Sequence, residues 1–365
     1  MTILMIACSR RAFGLMQKVK ELWEKHEKEE RPKRDEGQQE IHFICKIKCS
    51  SLPDISEEKT LTECVREGFE NRVDAIVFFC AAGIAVRTIA PFLRHKSVDP
   101  AVLVIDETGK FCISLLSGHA GGANELAGRI SSLIGAVPVI TTATDREQKF
   151  AVDDFARKNG LVITDWKLAK QVSAAILEGE RIAVSSDIPV ENVLPPELFW
   201  QEWKEDGGDK CCENPKIWIS YRQQEYPAHS KVLQLLPKLI AVGVGCRRRT
   251  PEEKIAAAIE QCLSDEKIRF EAVFAIASID LKQNEEGILS YCRGKGLPFV
   301  TFSPDTLRQL PGEFTDSSFV EQTTGVSNVC ERSAVAASSG SLICPKRVYD
   351  GVTVALAVQK GSVIV

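Results

Sequence analysis

One loop of small residues around a histidine carries the clearest chemical signal in the 365-residue sequence. The loop, residues 117–124 (SGHAGGAN), follows an apolar run at Phe111–Leu116 that is short enough for a buried strand. His119 can transfer a proton near neutral pH. Glycines ahead of a helix also predict free backbone N–H groups at Gly121 and Gly122, which can donate hydrogen bonds to an oxyanion as it forms. This combination favours hydrolysis by an activated water molecule over the alternative that His119 only orders the turn.

Other kinds of site would need spacings that the loop lacks. Ser117 is either a nucleophile or a turn hydroxyl, and the absence of Gly-x-Ser-x-Gly leaves a serine triad unsupported. Neither dinucleotide nor P-loop glycine spacing is present, and the five histidines show no metal-ligand spacing. The sequence therefore predicts no metal site. A phosphosugar- or nucleotide-binding enzyme stays open as a rival interpretation of the glycine-rich helix start.

Arginines near two further strand ends suggest anion binding. The small residues after the predicted strand Val73–Phe79 lead to Gly83 and to Arg87, about one turn into a helix. An anion site and an ordinary surface arginine are both open interpretations of Arg87.

The last third of the chain has a similar arrangement. Gly243 and Gly245 flank a strand end, and Arg247 and Arg248 follow it directly. Thr250-Pro251 then predicts a helix with threonine as N-cap and proline as the first helical residue. The arginines predict a site for carboxylates or phosphates, with a solvated loop as the alternative.

The alternation of predicted strands and helices indicates an α/β protein of three units. We predict an N-terminal parallel-sheet domain at residues 1–146, a small middle domain with a linker at 147–236, and a C-terminal α/β domain at 237–365. In the first domain the sequence predicts strands at Ile3–Ala7 and Ala101–Ile105. It also predicts a tight turn at residues 107–110 and a helix that ends at Gly135.

Composition argues against several classes of protein. With 46 basic and 50 acidic residues the net charge is -4, so neither nucleic acid nor an anionic membrane is expected as the main partner. No apolar run approaches the roughly 20 residues that cross a bilayer. The first residues suggest a strand and not a signal peptide, so we expect a cytoplasmic protein. The thirteen cysteines lack C-x-x-C spacing, and we expect reduced thiols instead of disulfides or zinc ligands.

Several longer motifs resemble the CbiG family, the cobalt-precorrin-5A hydrolases of the oxygen-independent route to cobalamin. The N-terminal motifs are residues 83–87 (GIAVR), 99–102 (DPAV), 115–126 (LLSGHAGGANEL) and 140–145 (ITTATD). The C-terminal motifs are residues 243–248 (GVGCRR), 278–282 (SIDLK), 325–326 (GV) and 329–331 (VCE). This last third also resembles CobE, a stand-alone protein of the oxygen-dependent route. The sequence departs from the family pattern at Arg249, where glycine is expected, and at Asp316, where proline is expected.

The resemblance implies an enzyme that opens the ring A acetate δ-lactone of cobalt-precorrin-5A and releases C20 with its methyl group as acetaldehyde, giving cobalt-precorrin-5B. It implies no cofactor, because the cobalt belongs to the small-molecule substrate. Neighbouring pathway enzymes are candidate partners, and a binding or hand-over protein without catalysis is the alternative function.

The resemblance also suggests roles for individual residues. His119 is the predicted base, with Glu125 or Asp145 either orienting it or assisting the carbon–carbon cleavage. The predicted substrate-binding residues are Gly83, Arg87, Ser117, Gly118, Gly121, Gly122, Asn124, Thr141, Thr142, Thr144, Gly243, Gly245, Arg247, Arg248, Ser278, Asp280, Lys282 and Glu331.

Overall fold

The computed structural model describes residues 1–30, 41–48, 58–96, 98–142, 149–202, 215–224 and 230–365. The chain forms two compact units, Met1–Arg157 and Lys158–Val365. Both units combine helices with sheets that contain parallel strands, so the predicted multi-domain α/β architecture is confirmed. The domain boundaries near residues 146 and 236 stay predictions.

The Met1–Arg157 unit is built on one six-stranded sheet. Its strands are β1 (Thr2–Ala7), β2 (His42–Ile47), β3 (Ala75–Phe79), β4 (Ala101–Ile105), β5 (Phe111–Leu116) and β6 (Val137–Val139). Its helices are α1 (Arg10–Glu30), α2 (Leu61–Glu70), α3 (Ala82–Ile89), α4 (Ala123–Ile134) and α5 (Val152–Lys158), with a 3₁₀ turn at Ala90–Phe92. The strand order is β2-β1-β3-β4-β5-β6.

This sheet reverses direction at one point. Strands β2, β1, β3 and β4 are parallel, but β5 pairs antiparallel with β4, and β6 is parallel to β5. The predicted tight turn causes the reversal: Gly109, at φ 70°, donates its N–H to the carbonyl of Asp106 at 2.8 Å. A crossover to a parallel strand would need a dozen or more residues. The chain that leaves β5 therefore emerges where β4 begins.

Alternating side chains of the strands build a core on each face of the sheet, as the period of two requires. Ile3 and Met5 of β1 belong to a buried cluster with α1 and α4. Leu4 and Ile6, on the opposite face, belong to a second cluster with α2 and α3. Gly135 ends α4 in the left-handed conformation, with φ 74°, as predicted.

The Lys158–Val365 unit contains two five-stranded sheets and a two-stranded pair. Its strands are β7 (Leu161–Ile163), β8 (Ile182–Ser186), β9 (Val190–Glu191), β10 (Leu198–Trp200), β11 (Lys216–Ile219), β12 (Val232–Pro237), β13 (Ile240–Gly245), β14 (Val273–Ile279), β15 (Phe299–Phe302), β16 (Ser341–Tyr349), β17 (Val352–Val358) and β18 (Val363–Ile364). Its helices are α6 (Trp166–Leu177), α7 (Glu252–Asp265), α8 (Glu286–Lys295), α9 (Pro304–Arg308), α10 (Ser318–Thr324) and α11 (Cys330–Ser338), with 3₁₀ turns at Phe270–Ala272 and Asp280–Lys282. The sheet orders are β10-β8-β11-β12-β7, β15-β14-β13-β17-β16 and β18-β9.

The two larger sheets of this unit share packing. Leu236, at the end of β12, is buried in the same cluster as Ile240 and Val242 of β13, and Val162 of β7 packs against that cluster. This shared core explains why the middle and C-terminal regions form one compact unit.

One helix start differs from the prediction. Helix α7 begins at Glu252 with Pro251 as its N-cap residue, and no side chain caps it. The Thr250 hydroxyl instead donates to the carbonyl of Arg247 at 2.8 Å. The predicted threonine cap is therefore wrong by one residue.

Two further sequence expectations concern cysteines and membrane spans. The described part of the chain holds ten cysteines, all with free thiols, whereas Cys49, Cys211 and Cys212 lie outside the described residues. In the described ranges, no helix combines the length and apolar character that a membrane span requires.

A substitution at Gly243 tests the close packing of helix α11 against strand β13. A methyl group on this residue would lie 1.8 Å from the carbonyl oxygen of Cys330, the first residue of α11. We expect Gly243→Ala to lower the free energy of unfolding by about 3 kcal/mol, because helix and strand must separate. Gly294→Ala is the control, since the nearest atom to its added methyl is 3.8 Å away. Denaturant unfolding should show a gain of about 0.5–1 kcal/mol for that helical site, and an equal effect of the two substitutions would contradict the packing account.

Candidate functional site

The histidine loop lies at the amino-terminal edge of the parallel strands, between β5 and α4. The Ser117 hydroxyl donates to the carbonyl of Asp99, just before β4, at 3.2 Å. The Asn124 side-chain amide donates to the Thr142 hydroxyl, beyond β6, at 2.9 Å. These two bonds tie both ends of the loop to neighbouring strand ends, with the half-buried His119 between them.

The backbone of the loop forms hydrogen bonds within its own turn. The N–H of Gly121 donates to the carbonyl of Ser117 at 3.1 Å, and the N–H of Gly122 donates to the carbonyl of His119 at 2.9 Å. The amides predicted to hold an oxyanion are therefore engaged within the turn in this structure, and their predicted role stays a prediction. A methyl group on Gly121 would lie 2.5 Å from Ser117 Cβ, so packing accounts for this glycine.

Two other small or polar loop residues also have packing roles. A methyl group on Gly118 would lie 2.8 Å from Asn124 Oδ1. The Asn124 side chain is itself buried. Both residues shape the loop, and their predicted contacts with substrate stay predictions. Ser117 adopts φ 56°, a left-handed conformation that costs a non-glycine residue about 1 kcal/mol.

Glu125 has an ionic partner that the sequence did not indicate. Its carboxylate lies 2.6 Å from Arg157 Nη2, and the same nitrogen lies 2.8 Å from Asp154 Oδ1. The predicted role of Glu125 in orienting His119 stays a prediction. Asp145, the other residue predicted to orient His119 or to assist the carbon–carbon cleavage, lies outside the described residues, as does Thr144.

A cleft of about 600 Å³ opens beside the loop. Its lining residues include Ala120, Gly121, Gly122 and Glu125 of the loop and of α4, and Arg157 of α5. The chain immediately before β3 and β4 also lines it, so the cleft belongs to the same edge of the sheet as the loop. This edge can therefore present an imidazole-bearing loop and cationic side chains to one ligand.

The other predicted N-terminal residues lie at the opposite edge. Gly83 and Arg87 belong to α3, which follows the carboxyl end of β3. Arg87 Nη1 donates to the carbonyl of Gly83 at 3.2 Å, so the guanidinium folds back toward the start of its helix. The sheet separates this point from the loop by a strand of five residues, about 16 Å. The structure therefore does not bring Arg87 and His119 together.

In the second unit, predicted residues converge at the carboxyl ends of the parallel strands β13 and β14. Arg247 and Arg248 are exposed and follow β13, while Asp280 and Lys282 follow β14. Gly245 precedes the arginines, and a methyl group there would meet the Thr353 hydroxyl oxygen at 2.5 Å.

Glu285, which the sequence did not single out, positions the arginine loop. Its carboxylate accepts the N–H of Arg249 and lies 3.1 Å from Lys282 Nζ. The side chains of Glu285 and Lys282 are both largely buried, so this pair is a fixed support. Burial raises the pKa of the neighbouring Cys246 thiol, which stays protonated at neutral pH and is a poor nucleophile.

Three residues predicted to bind substrate in this unit have contacts within the protein. The Ser278 side chain is fully buried and donates to the carbonyl of Val244 at 2.7 Å. Glu331 is also fully buried, and its carboxylate accepts from the Thr315 N–H, the Thr315 hydroxyl and the Lys346 N–H. Gly243 contacts α11, as described above. These contacts stabilise the fold, and the predicted contacts with substrate stay predictions.

Across the residues that the structure describes, no group of three or more histidine, cysteine, aspartate or glutamate side chains could hold a metal ion.

Comparison with known proteins identifies the chain's relatives. The family models described as Cobalamin synthesis G N-terminal, Cobalamin biosynthesis central region and Cobalamin synthesis G C-terminus match residues 63–145, 150–237 and 240–357. A Salmonella typhimurium protein called Cobalt-precorrin-5A hydrolase is 35% identical over 301 residues, which cover 78% of this chain and 82% of that protein. A protein of the same name from Priestia megaterium is 32% identical over 293 residues, 77% of this chain and 78% of its own length.

A third relative matches the C-terminal part alone. Protein CobE of a Sinorhizobium species is 31% identical over 121 residues, which cover 32% of this chain and 79% of that protein. The α/β fold and the three family models together define a protein of cobalamin biosynthesis. More narrowly, the chain is an enzyme and belongs to the CbiG family, whose curated members are named cobalt-precorrin-5A hydrolases. The predicted resemblance is confirmed.

Arg249 provides a test of the arginine loop. It stands where the family pattern predicts glycine and adopts φ 60°. We expect Arg249→Gly to raise the free energy of unfolding by about 0.5–1 kcal/mol, because glycine adopts left-handed backbone without a steric penalty. Arg248→Gly, at a residue without positive φ, should give no such gain. If both variants lower the unfolding midpoint in denaturant equally, this explanation of the family's glycine is wrong.

Proposed function

We propose that this enzyme hydrolyses the ring A acetate δ-lactone of cobalt-precorrin-5A and releases C20 with its methyl group as acetaldehyde. The observation that carries the proposal is the position of His119. Its loop is fixed by hydrogen bonds beside a cleft of about 600 Å³, in a chain 35% identical to a named cobalt-precorrin-5A hydrolase. No resident cofactor is included, because the cobalt arrives as part of the substrate.

In the proposed reaction His119 removes a proton from water while the water oxygen attacks the lactone carbonyl carbon. The tetrahedral intermediate collapses and breaks the ester bond, leaving a carboxylate on ring A and an oxygen on C20. His119 returns its proton to that oxygen. The C20 hydroxyl then gives its proton back to His119 as the bond that joins C20 to the macrocycle breaks. C20 leaves as the aldehyde carbon of acetaldehyde, and the macrocycle retains the electron pair of that bond and takes up a proton.

The C-terminal arginines, taken by themselves, also suit an acidic macrocycle. A macrocycle with many acetate and propionate side chains offers carboxylates that planar guanidinium groups bind through paired hydrogen bonds. The similarity of this region to Protein CobE supports the second candidate, a binding or hand-over role. The two functions differ in one product, because hand-over alone releases no acetaldehyde.

One prediction concerns His119 as the catalytic base. His119→Ala should lower the rate of lactone opening by about 10²- to 10⁴-fold and leave macrocycle binding intact, because only the proton acceptor is removed. The assay is anaerobic incubation with cobalt-precorrin-5A, with acetaldehyde measured against time and binding followed by the cobalt macrocycle's absorption. His42→Ala, at an exposed histidine that begins β2, is the matched control and should retain the wild-type rate. Unchanged acetaldehyde release from the His119 variant would remove it as the base.

The second prediction concerns Arg247 and Arg248. Replacing both by alanine should weaken substrate binding about tenfold at low salt, because each exposed ion pair contributes up to about 1 kcal/mol. The difference from wild type should shrink in high salt as screening increases. The control is a double alanine variant at Arg293 and Arg308, exposed arginines already paired with Glu286 and Asp305. If both double variants bind the substrate with equal affinity at low salt, Arg247 and Arg248 do not bind the carboxylates of the macrocycle.

A further inference from the structure

The proposed hydrolysis requires a donor for the oxyanion that forms on the lactone carbonyl, and the loop backbone does not supply it at the two glycines. The amides of Gly121 and Gly122 both donate to carbonyls inside the turn. The next two amides are also engaged: Ala123 donates to Ser117 at 3.2 Å and Asn124 to Gly118 at 3.0 Å. A side-chain donor at the same edge can take their place.

Arg157 has the position that this role requires. A methyl group built on Gly122 would lie 3.3 Å from Arg157 Nη1, 3.4 Å from Cζ and 3.6 Å from Nε. The guanidinium therefore lies directly against the loop that carries His119. Gly122, at φ 78°, has no side chain that would separate the guanidinium from the loop backbone. Gly122 and Arg157 both line the cleft.

The hydrogen bonds of Arg157 leave part of its guanidinium available. Both of its ion pairs, with Glu125 and with Asp154, use Nη2. Its Nε–H is buried and has no acceptor among the residues that the structure describes. The described hydrogen bonds also leave Nη1 without an acceptor, and Nη1 is the guanidinium atom nearest the loop, so it is the donor that we assign to a ligand oxygen. The two carboxylates hold the group in one orientation, as a preorganised donor requires.

Arg72, Lys96 and Arg129 also line the cleft. Described contacts direct two of these cations elsewhere: Lys96 lies 3.0 Å from Asp153, and Arg129 lies 2.6 Å from Glu27. The three atoms nearest to a methyl built on Gly122 all belong to Arg157, so Arg157 is the cation that lies closest to the loop at this residue.

We infer that Arg157 is a further catalytic residue, which binds the lactone carbonyl oxygen and stabilises the oxyanion; this inference rests on the proposed function. As water attacks, the carbonyl electron pair moves to the oxygen, and Arg157 donates hydrogen bonds to the negative charge. When the intermediate collapses, the carbonyl re-forms, the ester C–O bond breaks, and the leaving oxygen takes the proton held by His119. Glu125 and Asp154 are positioning residues for Arg157.

The test compares Arg157→Lys and Arg157→Ala with the intact wild-type chain, using anaerobic acetaldehyde release, absorption titration of cobalt-precorrin-5A and thermal unfolding. Arg157→Lys keeps a cation for Glu125 and Asp154 but lacks the planar donor array. We expect both variants to lose about 100-fold in kcat, with binding and the unfolding midpoint of the lysine variant close to wild type. Arg308→Ala, at an exposed arginine on α9, should retain full kcat.

Each outcome decides the inference. A large kcat loss in Arg157→Lys with retained binding and stability supports it, as does partial recovery of the Arg157→Ala rate by added guanidinium. If Arg157→Lys keeps kcat within about threefold of wild type, the residue has only an electrostatic or structural role, and the inference is overturned while the hydrolase function stands. If the wild-type protein binds the substrate and releases no acetaldehyde, the proposed function and this inference both fail.

Discussion

The reversal of strand direction at β5 is the constraint on which the candidate site depends. A connection of only five residues after β4 forces β5 to run back along it. The loop after β5 and the segment after β6 therefore emerge at the edge where β3 and β4 begin. Asn124 can reach Thr142 there, and Ser117 can reach the carbonyl of Asp99. The same reversal separates His119 from Arg87, because Arg87 follows a strand that ends at the other edge.

The loop is shaped by close packing and by two left-handed residues. Ser117 and Gly122 adopt φ 56° and 78°, and the turn between them uses its own amides as donors. A backbone closed in this way holds the imidazole in a defined place, but the Gly121 and Gly122 amides are engaged. Side chains must then provide any cationic or donor group. Arg157 meets that need from an adjoining helix. The acidic net charge of -4 does not oppose binding of an acidic macrocycle, because the relevant arginines are local.

Much of this architecture could be predicted from the sequence, since periodicity and small-residue motifs record local structure. The strand at Ile3–Ala7, the helix end at Gly135 and the histidine loop agree with the structure. Side-chain partners were not predictable, because residues far apart in sequence make them. Arg157 pairs with Glu125 across 32 positions, and Glu285 supports Arg249 across 36. The burial of Ser278 and Glu331, which we predicted to contact substrate, was not predictable either, since sequence motifs do not distinguish a buried polar group from an exposed one. The tight turn predicted at residues 107–110 did indicate that the chain reverses direction between β4 and β5.

The central claim is that the macrocycle's lactone binds at the loop edge of the N-terminal sheet. The most direct test is a crystal structure of the His119→Ala protein grown anaerobically with cobalt-precorrin-5A, so that slow turnover traps the substrate. The account predicts electron density for the lactone carbonyl beside residues 119–122, within hydrogen-bonding distance of Arg157. Density for the macrocycle at the opposite edge, against Gly83 and Arg87, with the cleft beside residues 120–122 unoccupied, would contradict it.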